Sequence, residues 1–337
     1  MYIIIGASSF IGVYTAEEFL KQGCKILVTG RKNKFKKHYD ELGVEYVNLD
    51  ITNKSDFEKL PKNGIEGVIL LSGLLPANVT TDIDIDENAD DYFLVNTIGT
   101  INVLNYCRKN GINRAISSCS YADVRGAWGK RIITEDEPRN YIYKGDHAAY
   151  VFSKNAANDT LEYYNQQHGM KNAWFRFPPV YGVGPHDSLY INGTLKKSGL
   201  KTFIDNASQG EDICIFGDEK LNRDIVYVKD VANAFFLAMK SDKTYGLYNI
   251  TSGQGVTLKE QAEVISELWK AAPEKKSKIT YKKDTENSTP SYLFSIEKAK
   301  RDFNYRPQFA DFKTMMVDYK KDLDANKYQE LFHYVKK

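Results

Sequence analysis

Residues 2–12 read Tyr2-Ile3-Ile4-Ile5-Gly6-Ala7-Ser8-Ser9-Phe10-Ile11-Gly12, and this stretch decides the fold. An apolar run of β-forming residues ends at Gly6, and a helical pattern then continues through Leu20 to a stop at Gly23. A strand, a turn of small residues and a helix leave backbone N–H groups free at the positive end of the helix dipole. We therefore predict an anion site that fits the pyrophosphate of a dinucleotide. Ser9 stands where a middle glycine is usual, and its hydroxyl is a candidate phosphate ligand.

The alternation of strand and helix continues through the first half of the chain. Residues 67–73 form an almost wholly apolar run, which is typical of a strand buried on both faces of a parallel sheet. The pattern predicts strands over residues 2–5, 25–29, 44–49, 67–73, 114–120 and 173–177, and long helices over residues 88–110 and 148–167. The expected fold class is therefore α/β, a doubly wound parallel (Rossmann) sheet whose ligand lies at the carboxyl ends of the strands.

Residues at the ends of the second and third strands bear on the choice of dinucleotide. The second strand ends at Gly30-Arg31, where an acidic side chain would bond the adenosine ribose and an Arg would favour a 2′-phosphate. The sequence thus favours NADP(H) over NAD(H). The alternative is that Arg31 is solvated or stacks on the adenine. The third strand leads to Asp50-Ile51, which is placed to meet the adenine edge.

The pattern changes after residue 177. Three prolines (Pro178, Pro179, Pro185) and a series of loops interrupt the alternation. A strand is predicted over residues 224–228, a helix over residues 230–239, and helices with short loops from there to residue 337. We predict an NAD(P)-binding domain of residues 1–178 with a returning segment at 224–251. Residues 179–223 and 252–337 are predicted to form a smaller, interleaved substrate-binding domain.

A second stretch, Tyr150-Val151-Phe152-Ser153-Lys154, carries candidate chemistry. Tyr150 and Lys154 are four residues apart on a predicted helix, so both side chains project from one face. A nearby ammonium group favours the phenolate form of a tyrosine, which makes Tyr150 a candidate acid/base for a substrate hydroxyl. The alternative is an amphipathic helix with a solvated lysine.

Composition narrows the class of protein. Lys plus Arg is 46 and Asp plus Glu is 44, so the net charge of +2 gives no reason to expect nucleic acid. The basic run at residues 31–37 and the acidic run at residues 82–91 are interpreted as solvated surface. Four scattered cysteines, without a Cys-x-x-Cys pair, predict neither a metal cluster nor a disulfide framework. We find no signal peptide or membrane span in the sequence, and we expect a soluble protein of the reducing cytoplasm.

Taken in order, these segments resemble the extended short-chain dehydrogenase/reductase family, that is, the NAD-dependent epimerase/dehydratase family that acts largely on nucleotide sugars. The resemblance covers nearly the whole chain. It rests on the turn Gly6 to Gly12, Asp50-Ile51, the Asn-x-x-Gly-Thr segment Asn96 to Thr100, the Tyr-x-x-Ser-Lys segment Tyr150 to Lys154, Arg176 to Gly182, Arg223 to Asp230, and the carboxyl-terminal segments Tyr248-Asn249-Ile250 and Lys298 to Arg301 with Pro307.

The resemblance implies roles for particular residues. Tyr150, Lys154 and Ser120 are expected to be catalytic: Lys154 bonds the nicotinamide ribose, Tyr150 exchanges a proton with a sugar hydroxyl, and Ser120 orients that oxygen. Ser120, Tyr121 and Arg223 are expected to bind substrate, with Arg223 on its diphosphate. The expected cofactor-binding residues are Gly6, Ser8, Ser9, Phe10, Ile11, Gly12, Arg31, Asp50, Ile51, Leu71, Ser72, Gly73, Asn96, Ser118, Tyr150, Lys154, Pro178 and Val180.

The chain departs from the family pattern at three places. The segment after the fifth strand is one residue longer, so that counting favours Ser120 as the catalytic hydroxyl and leaves Ser118 as its rival. Tyr121-Ala122 stands where dehydratases of the family carry Asp-Glu, which argues against a 4,6-dehydratase. Arg31 occupies the position of the acidic residue of NAD-preferring members. Asp123 is an additional candidate for the pocket wall, while His147, His186 and Cys119 are interpreted as bystanders.

Several functions remain open at this point. The leading one is a nucleotide-sugar epimerase or 4-ketoreductase with a bound nicotinamide. A reductase of a non-sugar ketone is disfavoured by Arg223, because apolar ketones have no diphosphate; a structural ion pair of Arg223 with Asp224 or Asp230 is the alternative for that residue. A silent dinucleotide sensor is disfavoured by the intact Tyr150 and Lys154. The resemblance also implies a homodimer formed through helices at about residues 89–110 and 148–167.

Overall fold

A computed structural model describes residues 1–31, 33–78, 89–145, 147–191, 194–284 and 290–332. Most of the acidic run at residues 82–91, Lys32 of the basic run, the predicted helix start at Asn88 and the last residues of the chain lie outside the described residues. Within the described ranges, no helix is both long enough and apolar enough to cross a bilayer.

The strands and helices are as follows. The strands are β1 (Tyr2–Ile5), β2 (Ile26–Gly30), β3 (Glu45–Asn48), β4 (Gly67–Leu70), β5 (Ala115–Ser120), β6 (Ala173–Phe177), β7 (Val180–Tyr181), β8 (Ser188–Ile191), β9 (Thr194–Lys197), β10 (Ile213–Phe216), β11 (Asn222–Asp224), β12 (Val226–Tyr227), β13 (Gly246–Asn249), β14 (Gly255–Thr257) and β15 (Ile279–Lys282). The α-helices are α1 (Phe10–Lys21), α2 (Asn33–Glu41), α3 (Ala89–Tyr92), α4 (Gly99–Lys109), α5 (Ala148–His168), α6 (Gly199–Gln209), α7 (Val228–Lys240), α8 (Leu258–Leu268), α9 (Glu297–Phe303), α10 (Phe312–Asp324) and α11 (Gln329–Phe332). A π-helical segment (Phe93–Ile98) joins α3 to α4, and 3₁₀ turns span Lys54–Lys59, Pro76–Asn78 and Tyr121–Ala127.

Seven strands form one sheet in the order β13-β6-β5-β4-β1-β2-β3. All its pairings are parallel, so the carboxyl ends of the strands meet at one edge. The order reverses beside β1, which is the switch point where such sheets bind ligands. The predicted doubly wound α/β fold is confirmed.

The sheet is buried on both faces because its strands are apolar without alternation. Ile3, Ile4 and Ile5 are wholly buried. One face packs on α1 and α7 through side chains such as Phe235, and the other packs on α4 and α5 through side chains such as Leu161. This packing fixes the helix that carries Tyr150 against the sheet edge.

Two sequence predictions about the second half were wrong. The strand predicted over residues 224–228 is divided, because β11 pairs with β14 whereas β12 pairs with β7, and α7 already begins at Val228. The part after residue 240, predicted to be helical, contains β13, β14 and β15. The last strand of the main sheet, β13, is too short to be recognised locally and is held by its pairing with β6.

A separate apolar cluster lies in the second half of the chain. Residues of α6, α8 and α10 pack there on β10 and on Tyr227, with Ile204, Ile265 and Met315 fully enclosed. The boundaries of the two domains stay a prediction.

Candidate active site

The turn after β1 is shaped by glycines that leave no room for a side chain. Gly6 has a φ of +88°, and a Cβ there would lie 2.4 Å from the backbone nitrogen of Ser72. A Cβ on Gly12 would lie 2.3 Å from the carbonyl oxygen of Gly6. Ser9 caps α1: its hydroxyl accepts from the Gly12 N–H at 3.1 Å and donates to the Gly6 carbonyl at 2.7 Å. The turn therefore presents backbone rather than side chains, which fits a pyrophosphate at the start of α1.

The side chains of the other turn residues pack away from this concave face. Phe10 is buried against Tyr14 and Val228, and its ring lies 5.0 Å from that of His186. Ile11 and Val180 pack on the same cluster. Hence the groups of Phe10 and Ile11 that this turn can present are their backbone N–H groups rather than their side chains. Burial lowers the pKa of His186 to about 4, so this imidazole stays neutral.

Arg31 and Asp50, at the ends of β2 and β3, come together at the expected adenosine end. Their guanidinium and carboxylate groups are 3.6 Å apart, and the Arg31 side chain is 65% exposed. Burial tends to raise the pKa of Asp50, but hydrogen bonds from Thr52 and the Arg31 charge hold it below its usual value. Ile51 packs under Gly99, where a Cβ would meet its side chain at 2.5 Å. Arg31 is thus neither free in solvent nor fixed in a buried pair.

The loop after β4 is held by Asn96. Leu71 and Ser72 are half-buried there, and Gly73 is exposed. The side-chain oxygen Oδ1 of Asn96 accepts from the Leu74 N–H at 2.8 Å, and the side-chain nitrogen Nδ2 donates to the Ser153 hydroxyl at 2.9 Å. Asn96 lies in the π-helical segment, a feature that is common at functional sites.

Tyr150, Lys154 and Ser120 meet at the carboxyl edge of the sheet. Ser120 is the last residue of β5, and its side chain is close enough to the Tyr150 phenol to lower the phenol's pKa. Ser118, the rival candidate, lies two residues earlier on the same strand and is half-buried. Among the described residues, no hydrogen bond or ion pair involves the Lys154 amine, although only 7% of the residue is exposed. A buried donor in such a place fits a ribose hydroxyl of a dinucleotide.

Burial, rather than the neighbouring charge, decides the protonation of these groups. It raises the pKa of Tyr150 well above the usual phenol value and lowers that of Lys154 to about 8. The sequence-based expectation that Lys154 makes Tyr150 easier to ionise is therefore not met in the chain alone. The physical reason is that burial disfavours the charged form of both groups. The free energy needed to remove a phenolate from water exceeds the stabilisation that the nearby lysine can give it.

Aromatic rings gather beside Ser120, at Tyr121 and the residues that pack on it. Tyr121 stacks on Trp128 with centroids 5.0 Å apart and planes 12° apart, and it lies 5.4 Å from the ring of Tyr292. Burial raises the pKa of Tyr121 and raises that of Tyr181 to about 12, and the nearby charge of Arg223, on β11, opposes both shifts only in part. Sequence reasoning missed Tyr292, and its only signal is the tertiary pairing of Tyr292 with Arg223.

The hydrogen bonds bear on two earlier expectations: an ion pair of Arg223 with Asp224 or Asp230, and a place for Asp123 in the pocket wall. Asp224 and Asp230 accept from other groups, and in the described part of the chain neither carboxylate lies within ion-pair distance of Arg223. Asp123 does not line the pocket. It is buried with Arg176, whose Nε and Nη2 donate to it at 3.0 and 2.9 Å, because a buried carboxylate needs such a partner.

The remaining candidates are accounted for by their packing. Pro178 is buried directly after β6, at the carboxyl edge of the sheet, and Ser8 faces Gly30, where a Cβ would meet its hydroxyl at 2.4 Å. Burial raises the pKa of the Cys119 thiol to about 12, so it is unreactive. His147 lies at the start of α5, with its ring 6.4 Å from that of Tyr150.

The sequence is similar to known proteins over most of its length. The model of the NAD dependent epimerase/dehydratase family matches residues 2–251. The chain is 27% identical to a putative UDP-glucose 4-epimerase of Methanocaldococcus jannaschii over 270 residues, which cover 79% of this chain and 81% of the relative. It is also 27% identical to a UDP-N-acetyl-alpha-D-glucosaminuronate decarboxylase of Bacillus cytotoxicus over 270 residues, which cover 79% of each protein.

Solved structures share the fold. A UDP-glucose 4-epimerase of Thermotoga maritima with UDP-glucose superposes with a TM-score of 0.74 at 22% identity, covering 96% of this chain and 99% of the other. A UDP-glucose 4-epimerase of Thermus thermophilus in complex with NAD gives a TM-score of 0.70 at 22% identity, covering 95% of this chain and 99% of the other.

Proposed function

The chain belongs to the NAD-dependent epimerase/dehydratase family, and we propose that it is a nucleotide-sugar 4-epimerase or 4-ketoreductase in which Tyr150 is the acid/base. The observation that carries the proposal is the meeting of Tyr150, Ser120 and the buried Lys154 amine at the sheet edge, beside a glycine-shaped turn. Family membership makes the chain an enzyme with a nicotinamide cofactor. The reaction, the substrate and the residue roles are the proposal.

Each residue of this group has a distinct task in the proposed reaction. The Lys154 amine holds the nicotinamide ribose, and the Tyr150 phenol oxygen takes the proton of the sugar hydroxyl. Ser120 bonds the same sugar oxygen and orients it. When bound, an oxidised nicotinamide supplies the hydride acceptor and a positive charge. That charge offsets the burial that raises the pKa of Tyr150 in the chain alone.

A nucleotide sugar suits the groups on the other side of Ser120. Arg223 supplies a planar fork of donors for a diphosphate. Tyr121, Tyr181 and Tyr292 lie around that charge and offer ring faces and hydroxyls to a sugar. The relatives named above as acting on UDP-sugars agree with this assignment. A reductase of an apolar ketone would have no use for Arg223.

One experiment separates the candidate functions. The purified protein is supplied with cofactor and with UDP-glucose, and the reduced-nicotinamide absorbance and the sugar products are followed. An epimerase interconverts the 4-epimers without net change in cofactor, whereas a ketoreductase consumes reduced cofactor when it is given a 4-keto sugar. A sensor binds cofactor but produces neither result. Tyr150→Phe is expected to abolish turnover while cofactor still binds, and substantial residual turnover in that variant would refute the role of Tyr150.

We propose that the cofactor is NADP(H) in preference to NAD(H). Among the described residues, Arg31 is held by an exposed pair with Asp50, and such pairs contribute little, so the guanidinium is available to a 2′-phosphate. Arg31→Ala is expected to weaken NADP+ binding about tenfold and to leave NAD+ binding unchanged. Equal affinity of the unsubstituted chain for the two dinucleotides would contradict the preference.

We also propose a homodimer, with a second copy of this chain on the face formed by the π-helical segment, α4 and α5. Phe93, Leu94 and Ile98 are exposed there, beside a cavity of about 380 Å³ lined by Ile101, Asp159, Thr160, Tyr163 and Tyr164. Because exposed apolar and aromatic side chains share this face with a few polar ones, one two-fold contact would bury them on both copies. Leu94→Glu is expected to give monomers in sedimentation experiments, whereas Val317→Glu, at an equally exposed site on α10, is not.

We propose that the enzyme is cytoplasmic. Cys24, Cys107, Cys119 and Cys214 are all free thiols. Free thiols persist in a reducing compartment, which is also where nicotinamide cofactors and nucleotide sugars are available to an enzyme.

A further inference from the structure

The carboxylate of Asp224 is enclosed without a cationic partner. Asp224 is 0% exposed, and it directly follows Arg223 in β11. One oxygen accepts from the Ser252 hydroxyl at 2.7 Å, and the other accepts from the Phe294 N–H at 3.2 Å. In the part of the chain that the structure describes, no cation lies within ion-pair distance of it. A carboxylate in such a place depends on its hydrogen-bond donors.

These hydrogen bonds tie β11 to the segment that carries Tyr292. The Asp224 N–H donates to the Tyr292 carbonyl at 2.9 Å, and the Tyr292 N–H donates to the Asn222 carbonyl at 3.1 Å. The Phe294 N–H adds a bond to the Asp224 carboxylate two residues later, so the backbone of this segment is held at Tyr292 and at Phe294. The Tyr292 ring in turn packs against Tyr121, the residue next to Ser120.

The bond to Ser252 fixes a third part of the chain. Ser252 follows β13, and its N–H donates to the Ile225 carbonyl at 3.0 Å. Asp224 therefore lies where β11, the loop after β13 and the segment of Tyr292 meet. Its two carboxylate oxygens accept from donors of two of these parts at once, and protonation would turn one of these oxygens into a donor.

We propose that Asp224 is a positioning residue for substrate binding: its carboxylate holds Arg223 and Tyr292 in one arrangement, so that the diphosphate and the sugar of a nucleotide sugar are met together. This inference rests on the proposed function. It assigns Asp224 to substrate affinity and leaves the proton transfer to Tyr150.

The protonation of Asp224 provides a readout that a merely structural role does not. Burial raises its pKa to about 7, against the effect of the bonds from Ser252 and Phe294. Its titratable and charged neighbours are Tyr292 and Tyr305, whose pKa values burial raises well above the usual phenol value, and the Arg223 guanidinium. Neither tyrosine changes charge near neutral pH, and neither does the diphosphate diester of UDP-glucose.

Asp230 offers a matched control in the same sequence segment. It is also a buried carboxylate whose pKa burial raises, to about 6, and its oxygens accept from the N–H groups of Gln308 and Phe309. Those partners lie just before α10, whereas the donors to the Asp224 carboxylate are Ser252 and Phe294. Asp230→Asn therefore reproduces the chemical change of Asp224→Asn at a carboxylate with other hydrogen-bond partners.

The test measures UDP-glucose binding to the cofactor-loaded enzyme by calorimetry, between about pH 6 and pH 8.5, together with kcat and KM. Asp224→Asn is expected to raise Kd and KM about tenfold with kcat changed less than about twofold, because one donor is left without an acceptor. In the unsubstituted enzyme, Kd is expected to rise as the pH falls through about 7, and this dependence is expected to be absent in Asp224→Asn. Asp230→Asn is expected to keep the unsubstituted Kd and its pH dependence.

Three results would overturn the inference. Asp224→Asn could bind UDP-glucose as the unsubstituted enzyme does, its kcat could fall while Kd stays constant, or Asp230→Asn could weaken binding equally. If Asp224→Asn does not fold, Ser252→Ala removes one donor to the same carboxylate and is expected to raise Kd about fivefold, and an unchanged Kd counts against the inference. If the unsubstituted enzyme binds neither UDP-glucose nor dTDP-glucose, the proposed function itself fails, and the inference fails with it.

Discussion

Asn96 donates a hydrogen bond from its side-chain amide to the Ser153 hydroxyl at 2.9 Å, and Ser153 in turn donates to the Tyr150 carbonyl at 2.8 Å. These two hydrogen bonds join the π-helical segment directly to the turn of α5 that carries Tyr150. Thr97 adds a second bond, from its hydroxyl to the Ser153 carbonyl at 2.9 Å. Two short segments of the family pattern are thus one contact in space, and Asn96 also holds the Leu74 backbone of the cofactor loop.

Replacing Asn96 with Ala is expected to lower both stability and activity. The change leaves the half-buried Leu74 N–H without its acceptor and the buried Ser153 hydroxyl without its donor, which costs about 2–4 kcal/mol of unfolding free energy. Because α5 is then less well placed, kcat/KM is expected to fall at least about tenfold. Denaturant titration and steady-state kinetics measure the two effects. Asn105→Ala, which removes a bond to Tyr164 on the same helices, serves as control and is expected to retain kcat/KM.

Replacing Lys154 with Met is expected to stabilise the cofactor-free protein while abolishing turnover. Burial lowers the pKa of Lys154 to about 8, so the folded chain binds this proton less tightly than the unfolded chain. At pH 7 the cost of the buried charge is fully present, and its removal is expected to contribute about 1–3 kcal/mol. In the unsubstituted protein this cost is relieved as the pH rises from about 8 to about 10.5, so stability rises across that window. Denaturation at pH 7 and at pH 9.5 checks the sign, and a Met variant less stable than its parent at pH 7 would contradict it.

Replacing Gly12 with Ala is expected to weaken dinucleotide binding at least about tenfold. The new Cβ would lie 2.3 Å from the Gly6 carbonyl oxygen and 2.7 Å from the Ala7 Cα, and backbone atoms cannot move aside without deforming the turn. Calorimetric titration with NADP+ measures the effect. Gly199→Ala is the control, because among the described residues no atom from outside its own helix turn lies within 4 Å of the added Cβ. Unchanged affinity in Gly12→Ala would show that the turn does not hold the dinucleotide.

Replacing Arg176 with Met is expected to cost about 3–5 kcal/mol of unfolding free energy, because it leaves the Asp123 carboxylate buried and unpaired. Arg176→Met combined with Asp123→Leu is expected to recover a large part of this loss. The exposed pair of Arg139 and Asp159 provides the comparison, and Arg139→Met is expected to change stability by about 1 kcal/mol or less. Denaturant titration of the three variants gives the values, and equal losses in the two single variants would argue against the burial account.

Replacing Asp230 with Asn is expected to flatten the pH dependence of stability at mildly acid pH. Burial raises the pKa of Asp230 to about 6, above its value in the unfolded chain, so the folded state binds the extra proton between about pH 4 and pH 6. Stability contributed in this way is present below about pH 4 and is lost as the pH rises through about 6. Thermal unfolding at several pH values compares the slopes. Parallel curves for the variant and its parent would mean that Asp230 does not titrate in this window.

Much of the fold followed from the sequence because the signals are local. Unbroken apolar runs such as Tyr2–Ile5 indicate strands buried on both faces, and the alternation with helices leaves the parallel sheet as the natural arrangement. The four-residue spacing of Tyr150 and Lys154 fixes their common helical face. Positions at the ends of parallel strands share one edge, which is why the residues from Gly6 to Ser120 could be assigned to one site.

Only the tertiary structure decided what depends on distant residues. The return of β13 to the sheet, the approach of Tyr292 to Tyr121 and the pairing of Asp123 with Arg176 join positions far apart in the chain, and short polar segments carry no local signal for them. The protonation of Tyr150 and Lys154 is of the same kind. Sequence supplies the two groups and their spacing, but the sign of each pKa shift depends on how much water the surrounding fold removes.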